Sequence, residues 1–403
     1  MPGKKGSGVK VIVCNIGSTS FKSQFLDMSD ESVLARVHIE RVGSKNARGR
    51  YYSGMSDLVR DEEKPIHNQR EAVRNGLDFI KTEIVDNLDE IDAVGFKTVQ
   101  AGEENGSVPL TDRVIKAMEY YVDMAPAHNP PYLEAIRMFR ELMPTKTLVG
   151  VFEPGFHVNK PEYAAVYGTP YEWYEKYGVK KYGFHGASLR YMTGETVRRL
   201  NLDPHNHRII ACHLGGSSSV CAYKNGVAID TSMGFSAQSG LIQSSRTGDI
   251  DAYVIPYIMK KTGMTLDEVF TELSSNAGIK GLSGTSGDMR DVHEAIAKGS
   301  KRAKLALNKY IYDIKFYIGA FIYIMCGVDA VCFSGGAATN DPALRAEVLS
   351  NLSYLGFRLD EQANRENRER FDAEGSTIAA VMFNTNEELI VARETVKVAA
   401  GQG

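Results

Sequence analysis

Two strand-turn-strand segments, almost half a chain apart, concentrate small and hydroxyl-bearing residues. Residues 11–22 read VIVCNIGSTSFK, and residues 209–220 read IIACHLGGSSSV. Asn15 and His213 occupy matching places, 213 − 15 = 198 positions apart. Such a turn presents backbone N–H groups and hydroxyls to one small space, which suits phosphate oxygens. The alternative for a single Gly-Ser pair is an ordinary β-turn without a ligand.

The duplication predicts two related domains with a phosphoryl-transfer cleft between them. A chain of 403 residues is too long for one ordinary core. Its 43% hydrophobic and 24% charged residues are typical of a soluble globular protein. The net charge of −3 provides no field that would recruit nucleic acid or an anionic membrane, so neither is expected as a partner.

The five cysteines are odd in number and form no CxxC pair, which favours reduced thiols in the cytoplasm. The segment 1–10 is short, basic and glycine-rich and is expected to be a mobile tail, because it lacks the apolar stretch of a signal peptide. The most apolar helical segment, 316–328, is much shorter than the roughly 20 residues of a membrane span. We expect it to be a buried helix.

Apolar spacing predicts the elements that position the two turns. In the first half, strands are expected at 32–39, 91–99 and 147–152, and helices at 66–86, 114–122 and 132–142. In the second half, strands are expected at 208–213, 220–223, 227–230, 330–333 and 377–383, and helices at 250–261, 265–274, 288–297 and 301–325. The segment 155–181 is expected to cross between domains, and a helix at 387–398 to return to the first. This order indicates mixed α/β sheets.

Ordered motifs over nearly the whole length resemble the acetate kinase family, the acetate, propionate and butyrate kinases of the sugar kinase, Hsp70 and actin superfamily. They are NIGSTSFK (15–22), APAHNPP (125–131), KYGFHGAS (181–188), HLGGSSSV (213–220), DTSMGF (230–235), SRTGD (245–249), SGTSGDMRDV (283–292), FSGGAATN (333–340) and NTNEEL (384–389). The resemblance implies two duplicated ribonuclease-H-like domains of the actin and Hsp70 type, with mixed sheets flanked by helices and an interdomain cleft. It places one domain at 1–156 plus about 387–403 and the other, with the adenosine site, at 157–386. It also implies a homodimer.

The resemblance assigns catalytic roles to Arg246, His185, Lys97 and Glu153. Arg246 would neutralise the carboxylate and the phosphoryl group, because two anions must meet in this reaction; the alternative is an exposed arginine paired with Asp249 or Asp251. His185 would donate to the phosphoryl group, or else cap the following helix.

Two of these positions differ from the family pattern. In GFKTVQAG (95–102), Lys97 replaces an arginine, and in VFEPGFH (151–157), Glu153 replaces an aspartate. Lysine keeps the charge but loses the bidentate fork. Both changes conserve charge, which favours adjusted activity over a dead site.

Ligands of Mg²⁺ and of ATP or ADP are also implied. Asn15 and Glu387 match metal-side residues, although Glu387 could equally serve as favourable charge at a helix N-terminus capped by Asn386. The residues assigned to nucleotide binding are Lys22, His213, Gly215, Gly216, Ser217, Asp288, Met289, Arg290, Gly336 and Asn340. Gly216 stands where the family has an asparagine. Small residues in FSGGAATN would admit a base, so ATP is favoured over pyrophosphate.

The carboxylate substrate would contact Lys97, Val99, Met124, Phe184 and Ala237. The family has a proline at position 237, and this chain reads GFSAQSG (234–240). Because this wall and Gln100 supply amide groups, we expect a short acid slightly larger or more polar than acetate.

The predicted function is reversible transfer of a phosphoryl group from ATP to a short-chain carboxylate. Two alternatives remain from the sequence. A non-catalytic, nucleotide-binding paralogue with a regulatory role is motivated by Lys97, Glu153 and Gly216. A sugar kinase would need a carboxylate base, which Glu153 could supply, but the rest of the chain does not resemble one.

Overall fold

The computed structural model describes residues 8–125 and 128–402. The segment predicted to be a tail lies outside the described residues up to position 7, as do two residues of the APAHNPP motif. The chain divides into two compact units. One comprises the described residues up to Val158 together with those from Asn386 onward, and the other is Asn159–Thr385.

The described part of the first unit forms an eight-stranded sheet. Its strands are β1 (Lys10–Gly17), β2 (Ser20–Asp27), β3 (Ser32–Glu40), β4 (Ser44–Ser53), β5 (Asp57–Ile66), β6 (Ala93–Thr98), β7 (Ser107–Pro109) and β8 (Thr147–Phe152), in the spatial order β5-β4-β3-β2-β1-β6-β8-β7. The helices are α1 (Gln69–Glu83), α2 (Asp112–Tyr120) and α3 (Asn129–Leu142). β1 to β5 are antiparallel neighbours, whereas β6 and β8 run parallel to β1.

The second unit has a five-stranded sheet flanked by helices. Its strands are β9 (Arg208–Leu214), β10 (Ser218–Lys224), β11 (Val227–Thr231), β12 (Ala330–Ser334) and β13 (Ala379–Met382), in the order β11-β10-β9-β12-β13. The helices are α4 (Glu162–Ala165), α5 (Tyr171–Tyr177), α6 (Gly186–Leu200), α7 (Val254–Thr262), α8 (Leu266–Thr271), α9 (Gly278–Ser283), α10 (Met289–Ala297), α11 (Lys301–Met325), α12 (Gly336–Thr339), α13 (Pro342–Leu349) and α14 (Glu361–Arg365). The last helix, α15 (Glu387–Ala399), belongs to the first unit.

The two sheets share one topology. The order β3-β2-β1-β6-β8 in the first unit is repeated as β11-β10-β9-β12-β13 in the second. In each, the first three strands are antiparallel and the next two run parallel to the central strand. The predicted fold of duplicated mixed α/β domains is therefore confirmed, and β4, β5 and β7 are additions to the first copy.

Helix α15 covers one face of the first sheet. Val391 and Ala392 on the helix pack against a layer of small branched side chains from β1, β6 and β8. The opposite face packs against α1 and α3, with Phe21, Phe25 and Phe79 in its core. Alternate residues along β1, β6 and β8 thus face α15, and the strands end in polar residues on that side.

Several predicted elements need correction. The hairpin of β4 and β5 was missed because its strands, SKNARGRYYS and DLVRDEEKPI, are rich in polar and charged residues, with only a few buried residues such as Ala47 and Tyr51. The helix predicted from residue 66 begins at Gln69, since Ile66 ends β5 and Asn68 is the N-cap. The helix predicted from residue 250 begins at Val254.

The prediction of a buried helix at 316–328 is wrong for one face of α11. Phe316 is 60% and Tyr323 84% exposed, and Leu305 and Tyr312 are exposed as well. These four residues recur at spacings of seven and four, which places them on one stripe of the helix. Among the described residues, no helix combines the length and the apolarity that crossing a membrane requires.

Candidate active site and nucleotide cavity

An ion cluster lies where the parallel strands of the first unit end. The ammonium of Lys97, in β6, is 3.1 Å from Oε1 of Glu153 and 2.7 Å from Oε2 of Glu387. Glu153 directly follows β8, and Glu387 is the first residue of α15. All three residues extend the α15-facing layer of the sheet beyond its apolar part. The sequence therefore folds three predicted site residues, distant along the chain, into one cluster.

The electrostatics of this cluster keep Lys97 charged. Burial acts to lower the pKa of Lys97, but the neighbouring Glu153 and Glu387 outweigh it and raise the pKa above its usual range. Glu153 is only 9% exposed at its side chain. One cation shared by two carboxylates leaves the cluster with a net negative charge.

The residues that could hold magnesium lie beside this cluster. Asn15 and Lys97 each follow the paired residues Cys14 and Phe96 on adjacent parallel strands. Mg²⁺ usually takes one or two protein carboxylates and completes its shell with water and substrate phosphates. The described residues contain no group of three or more His, Cys, Asp and Glu placed to hold a metal. An amide and two carboxylates fit an ion held mainly by its phosphates, not a dedicated protein cage.

In the second unit, the turn between β9 and β10 is held by its own hydroxyls and by Gln243. The N–H of Gly215 donates to Ser217 O at 3.1 Å and to Ser218 Oγ at 3.2 Å. Ser217 Oγ and the N–H of Ser218 both donate to Oε1 of Gln243, at 2.8 and 3.2 Å. Gln243, which was not predicted, thus fixes the shape of the loop.

Arg246 joins this loop to the predicted substrate wall. Its Nη1 donates to Ser217 Oγ at 3.1 Å, to Gln243 Oε1 at 3.3 Å and to the carbonyl of Ala237 at 3.3 Å. Burial alone lowers its pKa, and no described carboxylate offsets that effect. The alternative of a surface ion pair with Asp249 or Asp251 does not hold, because burial is the only influence on the pKa of Arg246 and neither carboxylate raises it. A half-buried guanidinium without a carboxylate partner can bind an anionic ligand.

His185 adopts a left-handed backbone conformation with φ of +60° at the start of α6. Its Nδ1 lies 2.9 Å from Oγ of the buried Ser219, and its ring centroid is 4.6 Å from that of His213. The side chain does not cap α6, so the capping alternative is wrong. A bulky residue in this conformation is held there by its surroundings. Ser219 was not predicted, although it belongs to the duplicated turn.

A cavity of about 1060 Å³ lies within the second unit. The residues that line it and were predicted to bind nucleotide are Gly215, Gly216, Asp288, Met289, Arg290, Gly336 and Asn340. Gly335, before α12, has φ of +86°, and a Cβ there would lie 2.4 Å from the carbonyl oxygen of Leu214. Only glycine therefore allows this loop to approach the end of β9.

Further polar residues line the cavity that the sequence did not reveal. His293 Nε2 lies 2.6 Å from Oδ2 of Asp341, and both residues line it. Asp288 caps α10 and is bound by the Arg290 guanidinium, which lowers the pKa of Asp288 to about 2. His293 lies one helical turn after Met289, so the spacing i, i+4 could have identified it.

Three residues predicted to bind nucleotide do not line this cavity. His213 and Ser217 lie in the turn beside it, where Ser217 is bonded to Gln243 and Arg246. Lys22 is an exposed residue of β2 in the first unit and lines a separate, smaller cavity.

The predicted substrate residues are divided between the units. Val99 and Met124 belong to the first, and Phe184 and Ala237 to the second. Gln100 is 1% exposed, and its Oε1 accepts from the N–H of Gly102 at 2.8 Å and from Nδ2 of Asn105 at 2.5 Å. Its amide oxygen is therefore part of a buried network, whereas its Nε2 lies 3.9 Å from Sδ of Met124, one of the predicted substrate residues.

Comparisons with known proteins agree over nearly the whole chain. Residues 10–393 match the Acetokinase family. The chain is 41% identical to an acetate kinase of Coprothermobacter proteolyticus over 399 residues, covering 98% of this chain and 100% of that protein. Among solved structures, an acetate kinase of Porphyromonas gingivalis superposes with a TM-score of 0.89 at 33% identity, over 97% of this chain and 100% of the other. A propionate kinase from Francisella tularensis superposes with a TM-score of 0.87 at 29% identity, over the same shares.

Proposed function

Because the chain belongs to the acetokinase family, whose enzymes transfer phosphoryl groups to a carboxyl acceptor, we propose that its own reaction joins ATP and a short-chain carboxylate. The products are an acyl phosphate and ADP, and the reaction is reversible. The observation that carries the proposal is Arg246, a half-buried cation bonded to the hydroxyl of the glycine-serine turn. A carboxylate can approach a phosphoryl group only where such a fixed cation offsets their repulsion.

Each polar residue of the site has a role in this reaction. Arg246 binds the substrate carboxylate and the transferring group. His185, oriented by Ser219, donates a hydrogen bond to the phosphoryl oxygens and need not act as a base, because an ionised carboxylate is already a nucleophile. Lys97 supplies a second cation. The cavity lined by Asp288, Met289 and Gly336 holds the nucleotide.

Magnesium, when bound, would neutralise phosphate charge at this site. Asn15 and Glu387 would hold the ion. Glu153 lies close to Glu387 because both carboxylates contact the Lys97 ammonium. Glu153 is one methylene longer than the family aspartate, and its carboxylate contacts Lys97 directly. That contact orders the two acidic groups.

The acyl substrate is proposed to be acetate, propionate or a slightly more polar acid. The oxygen of Gln100 is engaged, but its Nε2 lies 3.9 Å from Sδ of Met124, a predicted substrate residue. Gln238 supports a polar substrate, because its Oε1 is buried and has no hydrogen-bond partner among the described residues. A substrate hydroxyl could satisfy that oxygen, whereas a methyl group could not.

Hydroxamate formation from a panel of carboxylates, with ATP, GTP and pyrophosphate as donors, tests the proposed reaction and the proposed preference for a polar acid. We expect product with ATP and at least one of acetate, propionate, glycolate and lactate. Failure with every acid and donor would favour the non-catalytic paralogue. Faster reaction of acetate than of all other acids would refute the polar-substrate proposal only. Lys97→Arg and Glu153→Asp restore the family residues and are assayed beside the parent protein as matched controls.

A homodimer and a cytoplasmic location complete the proposal. The exposed stripe of Leu305, Tyr312, Phe316 and Tyr323 on α11 offers an apolar face for a second copy. All five cysteines are free of disulfides among the described residues, as expected in the cytoplasm. Light scattering should give a dimer mass, and Tyr323→Glu should lower it. A monomeric parent protein would contradict the dimer.

A further inference from the structure

A basic cavity in the first unit is separate from the nucleotide cavity, and of its lining residues only Lys22 was predicted to bind nucleotide. It measures about 270 Å³ and is lined by side chains of β2, β3 and β4 and the start of α15. Its cations are Lys22, Arg36 and Arg50, and its fourth basic residue is His38. Lys22, His38 and Arg50 form one row across the sheet, because Lys22 pairs with His38 and His38 with Arg50. The row continues from Asn15, the partner of Lys22 on β1, so it lies on the face of the sheet that packs against α15.

The cations of this cavity are only partly neutralised within the protein. Arg50 pairs with Glu40 at 2.7 Å, and the same carboxylate lies 3.4 Å from Nε2 of His38. Arg36 instead stacks over the ring of Tyr52, with 4.1 Å from its guanidinium carbon to the ring centroid. The Nε groups of Arg36 and Arg50 are buried without a hydrogen-bond partner in the described structure. Glu388 is an acidic wall of the cavity.

We propose that this cavity binds the phosphate group of a small anion, either inorganic phosphate or a phosphate monoester. A stacked guanidinium with unused donors matches the geometry of a phosphate, and Lys22 and Arg50 add charge around it. Lys22, Arg36 and Arg50 carry three positive charges against the two negative charges of Glu40 and Glu388, so the lining keeps a net positive charge that attracts an anion. Burial, Lys22, Arg50 and Arg36 act to lower the pKa of His38, against Glu40, and a bound phosphate would oppose them. The site shares no lining residue with the nucleotide cavity.

The test is calorimetric titration of the full-length protein with inorganic phosphate, phenyl phosphate and malonate. Arg36→Gln is expected to weaken phosphate binding about tenfold, since it removes charged hydrogen bonds. Glu388→Gln is expected to tighten it, which simple damage to the fold cannot do. Arg48→Ala removes a nearby cation that pairs with Asp61 outside the cavity and should leave affinity unchanged.

A second readout is local to the cavity. The ring resonances of His38 should shift on addition of phosphate in the parent protein and in Arg48→Ala, but not in Arg36→Gln. Preferential binding of phenyl phosphate would identify a monoester as the ligand, and equal binding would favour the free ion. Malonate binding as tightly as phosphate would overturn the proposal. Equal phosphate affinity of the parent and Arg36→Gln would also overturn it.

Discussion

Lys97 and Glu387 form an ion pair of 2.7 Å that joins the end of a central strand to the first residue of the C-terminal helix. The same ammonium holds Glu153. Lys97→Met would leave two adjacent carboxylates without their shared cation. We expect it to lower the free energy of unfolding by about 3 kcal/mol and to abolish most activity. Urea denaturation and the hydroxamate assay measure these effects. Lys97→Arg is the control and should retain stability; a fully stable Lys97→Met would contradict this account.

Gln100 is expected to matter for folding and not for substrate choice. Its oxygen accepts two hydrogen bonds within a buried network that also includes Asn129, which donates to the Gln100 carbonyl at 2.9 Å. Gln100→Leu leaves buried donors without an acceptor, so the free energy of unfolding should fall by about 2 kcal/mol. Relative rates with acetate, propionate and glycolate should not change. A changed order of preference would return Gln100 to the substrate pocket.

Ser219 is a positioning residue for His185. Removing its hydroxyl in Ser219→Ala frees the imidazole from the 2.9 Å contact with Nδ1. Loss of one such hydrogen bond should lower kcat about tenfold and leave the KM for ATP nearly unchanged. Steady-state kinetics separate the two constants. Ser219→Thr keeps the hydroxyl and should recover part of kcat, while a purely structural role would raise KM and lower the unfolding midpoint instead.

The sequence predicted the parts of the molecule that local patterns encode. The duplicated turns at Asn15 and His213 predicted the repeated sheet topology, and the motifs around Gly215, Met289 and Gly336 predicted residues that line one cavity. Contacts between distant segments could not be predicted. The bond from Asn129 to the Gln100 carbonyl and the bond between His185 and Ser219 depend on how the strands and loops pack. The β4 and β5 hairpin was missed because its exposed charges hide the apolar alternation.

Arg345 supports the loop that lines the nucleotide cavity. It is fully buried and donates to the Ala338 carbonyl at 2.6 Å, to Asn364 Oδ1 at 2.8 Å and to Asn367 Oδ1 at 2.8 Å. Arg345→Met should lower the free energy of unfolding by about 3 kcal/mol and weaken ADP binding. Denaturation and calorimetry measure the two effects. Arg365→Ala, which removes an exposed arginine paired with the equally exposed Glu361, is the control and should change neither appreciably.

Lys160 should make stability rise with pH in the alkaline range. It is 8% exposed, and its ammonium donates to the carbonyls of Lys181 and Tyr182 at 2.6 and 3.3 Å. Burial, and secondarily Lys181, lowers the pKa of Lys160 from 10.5 to about 8. Between these values the unfolded chain binds more protons than the folded protein, so the folded state gains stability as pH rises.

Over this interval the gain from Lys160 should reach about 3 kcal/mol. Urea denaturation of the parent protein and of Lys160→Met between pH 7.5 and 10 isolates the contribution of Lys160, because all other groups that titrate in this range are present in both proteins. The difference in unfolding free energy between the two proteins should shift in favour of the parent as pH rises. A difference independent of pH would mean that Lys160 keeps its ordinary pKa in the folded protein. The carbonyls that Lys160 binds belong to Lys181 and Tyr182, shortly before His185. The same titration should therefore also change how well ordered this segment is, which carries the histidine proposed to bind the phosphoryl group.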